Sequence, residues 1–251
     1  MIIVVIKPWQ ARLIMALAFA LFLAGGYRLS EHASMAPVSG RVGLGVPLFE
    51  VPGVKNMVSL AVNVDWGAEE IPAILDLFQQ YGVKATFFLT GRWAKEHSEL
   101  ARAIAEAGHE IGNHGLTHAH PKQLGADALT EHVAENQSLL EGIVGGVSRL
   151  YAPPYGEWDR RIVRHVSGMG YHTVLWTLDT IDWQDPPPAK IVERVVPKAR
   201  GGSIILMHPR PNTVAALPDL LRGLEQRGLQ AVTISTMLAA STATPEHQTS
   251  D

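Results

Sequence analysis

Between residues 57 and 240, short apolar or β-branched runs alternate with stretches whose apolar positions recur at helical spacing. Residues 59–64 predict a strand and 71–80 a helix closed by Gly82. A strand at 85–90, a helix at 99–107 stopping at Gly108, a short strand at 109–112 and a helix at 126–143 before Gly145-Gly146 follow. The series continues with a strand at 150–152, a helix at 160–167 and a strand at 173–178. It ends with a helix at 189–199, a buried strand at 203–207, a helix at 214–226 and a strand at 231–234. Glycine behind a helix supplies the left-handed residue that ends it. Strands alternating with helices imply parallel pairing. Six or seven such units predict an α/β fold, a distorted and incomplete (β/α) barrel rather than an open sheet.

Upstream the pattern changes. Lys7 and Arg12 precede an uncharged stretch, 13–27, that ends before Arg28. A basic segment followed by an apolar one is the pattern of a targeting sequence. The stretch is short against the roughly 17–25 residues of a bilayer span, although Arg12 and Arg28 can snorkel and extend it. No A-x-A cleavage site follows it, since the sequence reads Leu23-Ala24-Gly25-Gly26-Tyr27. Residues 1–28 are therefore expected to be a signal-anchor helix, with a cleaved signal peptide as the alternative. Positive charges ahead of the apolar run put the rest of the chain outside the cytoplasm. The expected product is a single-pass cell-membrane protein with an extracytoplasmic domain, or a secreted one if cleaved. Residues 29–55, rich in Ser, Pro, Gly and Ala, read as a flexible linker; 56–240 form the main domain and 241–251 a disordered polar tail.

Composition narrows the chemistry. There is no cysteine among the 251 residues, which excludes disulfide scaffolds, thiolate metal sites and thiol nucleophiles. A net charge of −3 without a basic run argues against a nucleic-acid partner. Eleven histidines, five of them between His97 and His120, point instead to metal or proton chemistry.

The polar residues recur just past the predicted strand ends: Asp65, His114 with His118, Tyr155, Asp179 with Asp182, and His208. In a parallel barrel these ends converge on one face, where sites form. His114 and His118, four apart, would face the same side of a helical turn, the geometry of metal-binding pairs. Two neutral imidazoles favour zinc or a similar divalent ion, and a catalytic site usually adds a third protein ligand. His208, ending a buried strand, is placed for general acid work, with Asp179 or Asp182 to orient it. The rigid Pro153-Pro154-Tyr155-Gly156 turn offers the Tyr155 N–H to an oxyanion.

These residues resemble the NodB-homology polysaccharide deacetylases, carbohydrate esterase family four. Gly108-His109-Glu110-Ile111-Gly112-Asn113-His114 with His118 matches that family's second motif. Pro153-Pro154-Tyr155-Gly156 matches the third, Asp179-Thr180-Ile181-Asp182-Trp183 the fourth and Leu206-Met207-His208 the fifth. Lys84-Ala85-Thr86-Phe87-Phe88 and Gly91-Arg92-Trp93-Ala94 also match. Within the family, Asn63-Val64-Asp65-Trp66-Gly67 behind a short anchor is most similar to the sporulation-associated YlxY branch. The resemblance implies a NodB-type barrel, a divalent metal (Zn2+ first), and removal of N-acetyl groups from amino-sugar polymers such as peptidoglycan or chitin. It implies metal binding by His114, His118 and Asp65, and catalytic roles for His208, Asp65, Asp182, Asp179 and Tyr155.

Two motifs depart from the pattern. Where the family reads Thr-Phe-Asp-Asp-Gly, a gap-free alignment puts Asn63 in the base slot and Val64 in the ligand slot, whereas a slide of two residues makes Asp65 the first Asp but leaves Trp66 in the ligand slot. Asp65 shares the face of Asn63 but lies about 6.6 Å further along an extended strand, so it substitutes only if the chain turns back. The family's arginine before Pro-Pro-Tyr is Ala152 here. Both losses leave the pocket neutral, since an arginine facing Asn63 would be an unpaired buried charge. Two functions follow: a metal-dependent deacetylase anchored at the cell envelope, or a catalytically impaired homologue that binds wall glycan. In the second, Trp66, Trp93, Trp158, Trp176 and Trp183 are candidate platforms for sugar rings.

Overall fold

The computed structural model describes residues 43–243. The expected anchor and most of the expected linker lie outside them. Eight parallel strands carry the fold: β1 (Met57–Val64), β2 (Thr86–Leu89), β3 (Glu110–Asn113), β4 (Leu150–Tyr151), β5 (His172–Thr173), β6 (Leu178–Asp179), β7 (Ile204–Met207) and β8 (Gln230–Ala231). Between them run the helices α1 (Ile71–Gln80), α2 (Gly91–Glu96), α3 (Ser98–Glu106), α4 (Ala126–Val144), α5 (Arg160–Gly168), α6 (Pro188–Val195), α7 (Pro211–Gln226) and α8 (Ile234–Ala243). The strand order is β5-β4-β3-β2-β1-β7-β6, with β8 paired to the start of β1. The sheet curls but is not closed: β5 and β6 are its two ends.

β1 shows why the sequence folds this way. Val58, Leu60, Val62 and Val64 alternate onto the outer face and join Ile71, Ile74, Phe78, Leu217 and Leu220 in the main core. Ala61 faces inward, into a second cluster with Phe88, Leu150 and Ile204 that Ile234, Met237 and Leu238 of α8 cover. Burial on both faces gives the near-continuous apolar run of a parallel strand.

Several boundaries move. The expected strand at 173–178 is two short strands, because β5 pairs with β4 and β6 with β7, and the residues between them span the opening. The expected linker at 29–55 is shortened from its C-terminal side. Leu48 and Val51 are each 1% exposed, Leu48 bridges to Val174, and Val51 N–H donates to Gly202. This segment lies across the open edge. The expected tail at 241–251 is also cut back, since α8 continues to Ala243 and Ser241 is buried. Among the described residues no helix is long and apolar enough to cross a membrane.

Register sets the site. Val64 pairs with Leu89, Leu89 with Asn113, and Val62 with Met207. The next residues, Asp65, Thr90, His114 and His208, therefore leave the sheet at one end.

Candidate functional site

At that end a cavity of about 430 Å³ is lined by Asn63, Asp65, Trp66, His114, His118, Tyr155, Gly156, Trp176, Asp179, Trp183, Leu206 and His208. Only Asp182 of the expected site residues is absent from the wall, because it sits behind His208.

The Asp182–His208 half is fully built. Asp182 is 0% exposed. Its Oδ1 is 2.7 Å from His208 Nδ1. Its Oδ2 accepts from the His208 N–H and the Thr213 hydroxyl, each at 2.7 Å. Burial pushes this carboxyl up, but the bonds from His208 and Thr213 outweigh burial and hold it below the ordinary carboxylate range. Asp182 is thus the partner of His208, and the alternative, Asp179, is not. Asp179 Oδ1 accepts from Ile181 N–H, and burial raises its pKa. Trp66 stacks on His208 with centroids 5.3 Å apart, and Arg210 lies 5.5 Å from the Trp66 ring.

The histidine pair comes together by another route than the expected helical turn. His114 follows β3, and Gly115 takes φ 83° in a loop. A Cβ there would sit 1.9 Å from His132 Nε2, so only glycine fits. Asn113 Oδ1 accepts the Gly115 N–H at 2.8 Å and is itself held by Asn136 of α4. The His114 and His118 ring centroids are 5.1 Å apart. His114 Nδ1 donates to the Ala152 carbonyl at 2.7 Å, which fixes the tautomer and leaves Nε2 as the ligand atom. Burial, reinforced by His118, lowers the His114 pKa to about 3. The His118 pKa is also lowered, mainly by burial, with Asp65 opposing and Arg92 assisting. Tyr155, at φ 60°, packs edge-on against His118 at 4.3 Å and stacks on His120 at 4.0 Å.

Asp65 departs from its expected role. The chain turns after β1 at Gly67, φ 79°, and brings Asp65 to the cavity wall beside Asn63. There Oδ1 accepts from Thr90 Oγ1 and Arg92 Nε at 2.7 Å each, and Oδ2 accepts from Arg92 Nη2. Both oxygens are engaged by a bidentate guanidinium. Val64 lies in the outer core, 0% exposed, and Asn63 Oδ1 has no hydrogen-bond partner among the described residues. Among the described residues no three His, Asp, Glu or Cys side chains form a group that could hold a metal ion. Two imidazoles fit a divalent ion; the third ligand expected at Asp65 does not.

Sequence reasoning missed Arg92, Thr90 and Thr213. Gly91-Arg92 was visible as a matching stretch, but nothing in its spacing tied it to Asp65. Of the five tryptophans expected as sugar platforms, Trp93 is core at 2% exposure, whereas Trp66, Trp158 and Trp183 are exposed.

The polysaccharide deacetylase family model matches residues 51–174. Over 200 residues the chain is 32% identical to a peptidoglycan-N-acetylglucosamine deacetylase of Bacillus cereus, covering 77% of this chain and 93% of that protein. The chain belongs to the polysaccharide deacetylase family. It is also 34% identical over 192 residues to the uncharacterized protein YlxY of Bacillus subtilis, covering 76% of this chain and 60% of YlxY's own length. Among solved structures it is similar to a CE4 family pseudoenzyme from Bacillus anthracis, with a TM-score of 0.75 and 36% identity over 77% of this chain and 69% of that one. A mutant of that pseudoenzyme is described as having restored enzymatic activity. The chain shares the NodB-type half-barrel of that family.

Proposed function

We propose that this protein is a glycan-binding member of the polysaccharide deacetylase family, recognising N-acetylated amino-sugar polymers of the peptidoglycan or chitin type with little or no turnover. The observation that carries the proposal is the capture of Asp65. Its two oxygens are held by Arg92 and Thr90, and among the described residues no other carboxylate joins His114 and His118. Asn63 and Ala152 supply neither a base nor its arginine. A general base is typically worth about 10²–10⁴-fold in rate. What persists is a recognition cleft: exposed Trp66, Trp183 and Tyr155 around polar His118, Asp179 and His208. An apolar wall with a few convergent polar groups suits a ring with one apolar face and equatorial hydroxyls. The pseudoenzyme relative supports the same reading. With residues 1–28 as anchor, the domain meets wall glycan outside the membrane, and the YlxY-like segment associates it with sporulation.

A second reading, slow deacetylation, is favoured by the intact Asp182–His208 pair, in which His208 protonates the departing amine. The deciding experiment uses the full chain with chitooligosaccharides and N-acetylated peptidoglycan fragments. It measures binding by calorimetry and acetate release with added Zn2+, Co2+ or Ni2+. Saturable binding without acetate release above buffer is expected. Acetate release abolished by His208→Ala establishes the second reading instead, and absence of any glycan binding overturns the proposal.

A further inference from the structure

The turn after β4 borders two cavities. Tyr155 and Gly156 line the site cavity, and Trp158 lines a second one of about 300 Å³. Gly45, Pro47 and, from α5, Arg160, Val163 and Arg164 also line the second. We propose that this second cavity binds carboxylates on a peptide-bearing amino-sugar polymer, so that the protein takes peptidoglycan in preference to chitin. The inference rests on the glycan-binding reading and names which of its two polymers is recognised.

Helix α5 carries three arginines with different surroundings. Arg161 donates to the carbonyls of Leu124 and Pro121 and so ties α5 to the loop ahead of α4. Arg160 and Arg164, four positions apart, lie on one side of the helix; both are exposed and both line the cavity. Among the described residues neither side chain has a hydrogen bond or an ion pair. Like charges at that spacing weaken a helix slightly, and Arg160 stands in the first turn, where the helix dipole disfavours a cation. The acids nearest in sequence are engaged elsewhere. Glu157 Oε1 is 3.0 Å from His120 Nδ1, and Asp159 Oδ1 caps α5 by accepting the Ile162 N–H. A carboxylate in the cavity offsets both costs, and a guanidinium fork matches its two oxygens. Beside the arginines, Trp158 meets Phe49 edge-on at 5.7 Å, and both rings are partly exposed. Two guanidinium groups beside an apolar wall fit a peptide with both methyl groups and carboxylates. The branches of peptidoglycan supply these; chitin, uncharged and unbranched, does not. The concave shape suits such a discrete group rather than a flat bilayer surface. Tyr155 and Trp158 are three residues apart, at most about 11 Å along the chain, so one branched oligosaccharide can span both cavities.

The test is calorimetry on the full chain, wild type against the double variant Arg160→Gln/Arg164→Gln. Three ligands of equal sugar number are compared: a chitooligosaccharide, a peptidoglycan fragment bearing its peptides, and that fragment with its carboxyls amidated. An exposed guanidinium–carboxylate pair is worth about two- to fivefold in affinity. Wild type should therefore prefer the peptide-bearing fragment over the chitooligosaccharide by about five- to tenfold. Amidation and the double variant should each abolish that preference and leave the chitooligosaccharide affinity unchanged. The preference should also shrink with added salt, because exposed ion pairs are screened. Equal wild-type affinity for all three ligands overturns the carboxylate site but leaves the glycan-binding reading standing, as does a preference that survives in the double variant. Binding of none of the three overturns both. Weaker association of the double variant than of wild type with phosphatidylglycerol vesicles, without a glycan preference in either, overturns the site in favour of a membrane surface.

Discussion

Replacing Asp182 by asparagine changes one atom in a fully buried site, and the consequences follow from its partners. The carboxylate accepts three hydrogen bonds at 2.7 Å, from His208 Nδ1, the His208 N–H and Thr213 Oγ1. Asparagine keeps one acceptor oxygen and points an NH₂ group at a donor. With that oxygen in the Oδ2 position, the bond to His208 Nδ1 is lost, worth about 1.5–3 kcal/mol with a charged acceptor, and the two that remain fall to neutral strength, about 0.5–1.5 kcal/mol each. The loss, roughly 3–6 kcal/mol, overlaps the usual cost of about 3–5 kcal/mol for removing one partner of a buried pair. At roughly 2–4 °C per kcal/mol for a domain of this size, Tm should fall by about 6–24 °C. Thermal and urea unfolding of both proteins at pH 7 measure it. The sign with pH is fixed as well. A carboxyl whose folded pKa is depressed contributes stability above its unfolded value, about 3.9, and loses it as pH falls through the folded pKa. The wild-type advantage should therefore shrink in acid below that value. A variant within 1 kcal/mol of wild type at pH 7 would refute the assignment of Asp182 as the charged acceptor that holds His208.

Three further outcomes are expected. His114, held neutral with a pKa of about 3, excludes a proton that the unfolded chain takes up below about pH 6.5. Stability should therefore fall by about 1.4 kcal/mol per pH unit between roughly 6.5 and 3 on its account; His114→Gln should flatten that slope by one proton, and equal slopes in urea titrations would exclude it. Gly67→Ala should destabilise by about 1–3 kcal/mol, since φ is +79° and the new Cβ would lie 2.1 Å from the Pro209 carbonyl oxygen; an unchanged melting temperature would contradict this. Trp183→Ala should weaken chitooligosaccharide binding about tenfold, or about 1.4 kcal/mol, with Tm unchanged because the ring is exposed; equal affinities in calorimetry would remove Trp183 from the binding face.

The periodic elements were legible in the chain because local forces decide them. The helix expected at 71–80 is α1, residue for residue, since its apolar stripe, Pro72 and Gly82 all agree. Helix α2 was missed: six residues are too few for periodicity to show, and its start is set by Thr90, whose Oγ1 accepts the Trp93 N–H. Helix α8 was missed as well, where a strand was expected to run to 234, because its burial depends on the hollow of the curled sheet that Ile234 and Met237 fill.

By itself the sequence determined the parallel α/β architecture, the family and the set of polar residues delivered to one end of the sheet. Strand alternation and motif order are properties of the chain read along its length. Which carboxylate serves which partner was decided only in the tertiary structure. Asp179 and Asp182 are indistinguishable by spacing, yet only Asp182 turns inward to His208. Asp65 reads as a free ligand until Arg92, 27 positions later, closes on it. Charge pairing depends on distance in space, and register across β1 and β2, not proximity in sequence, sets that distance.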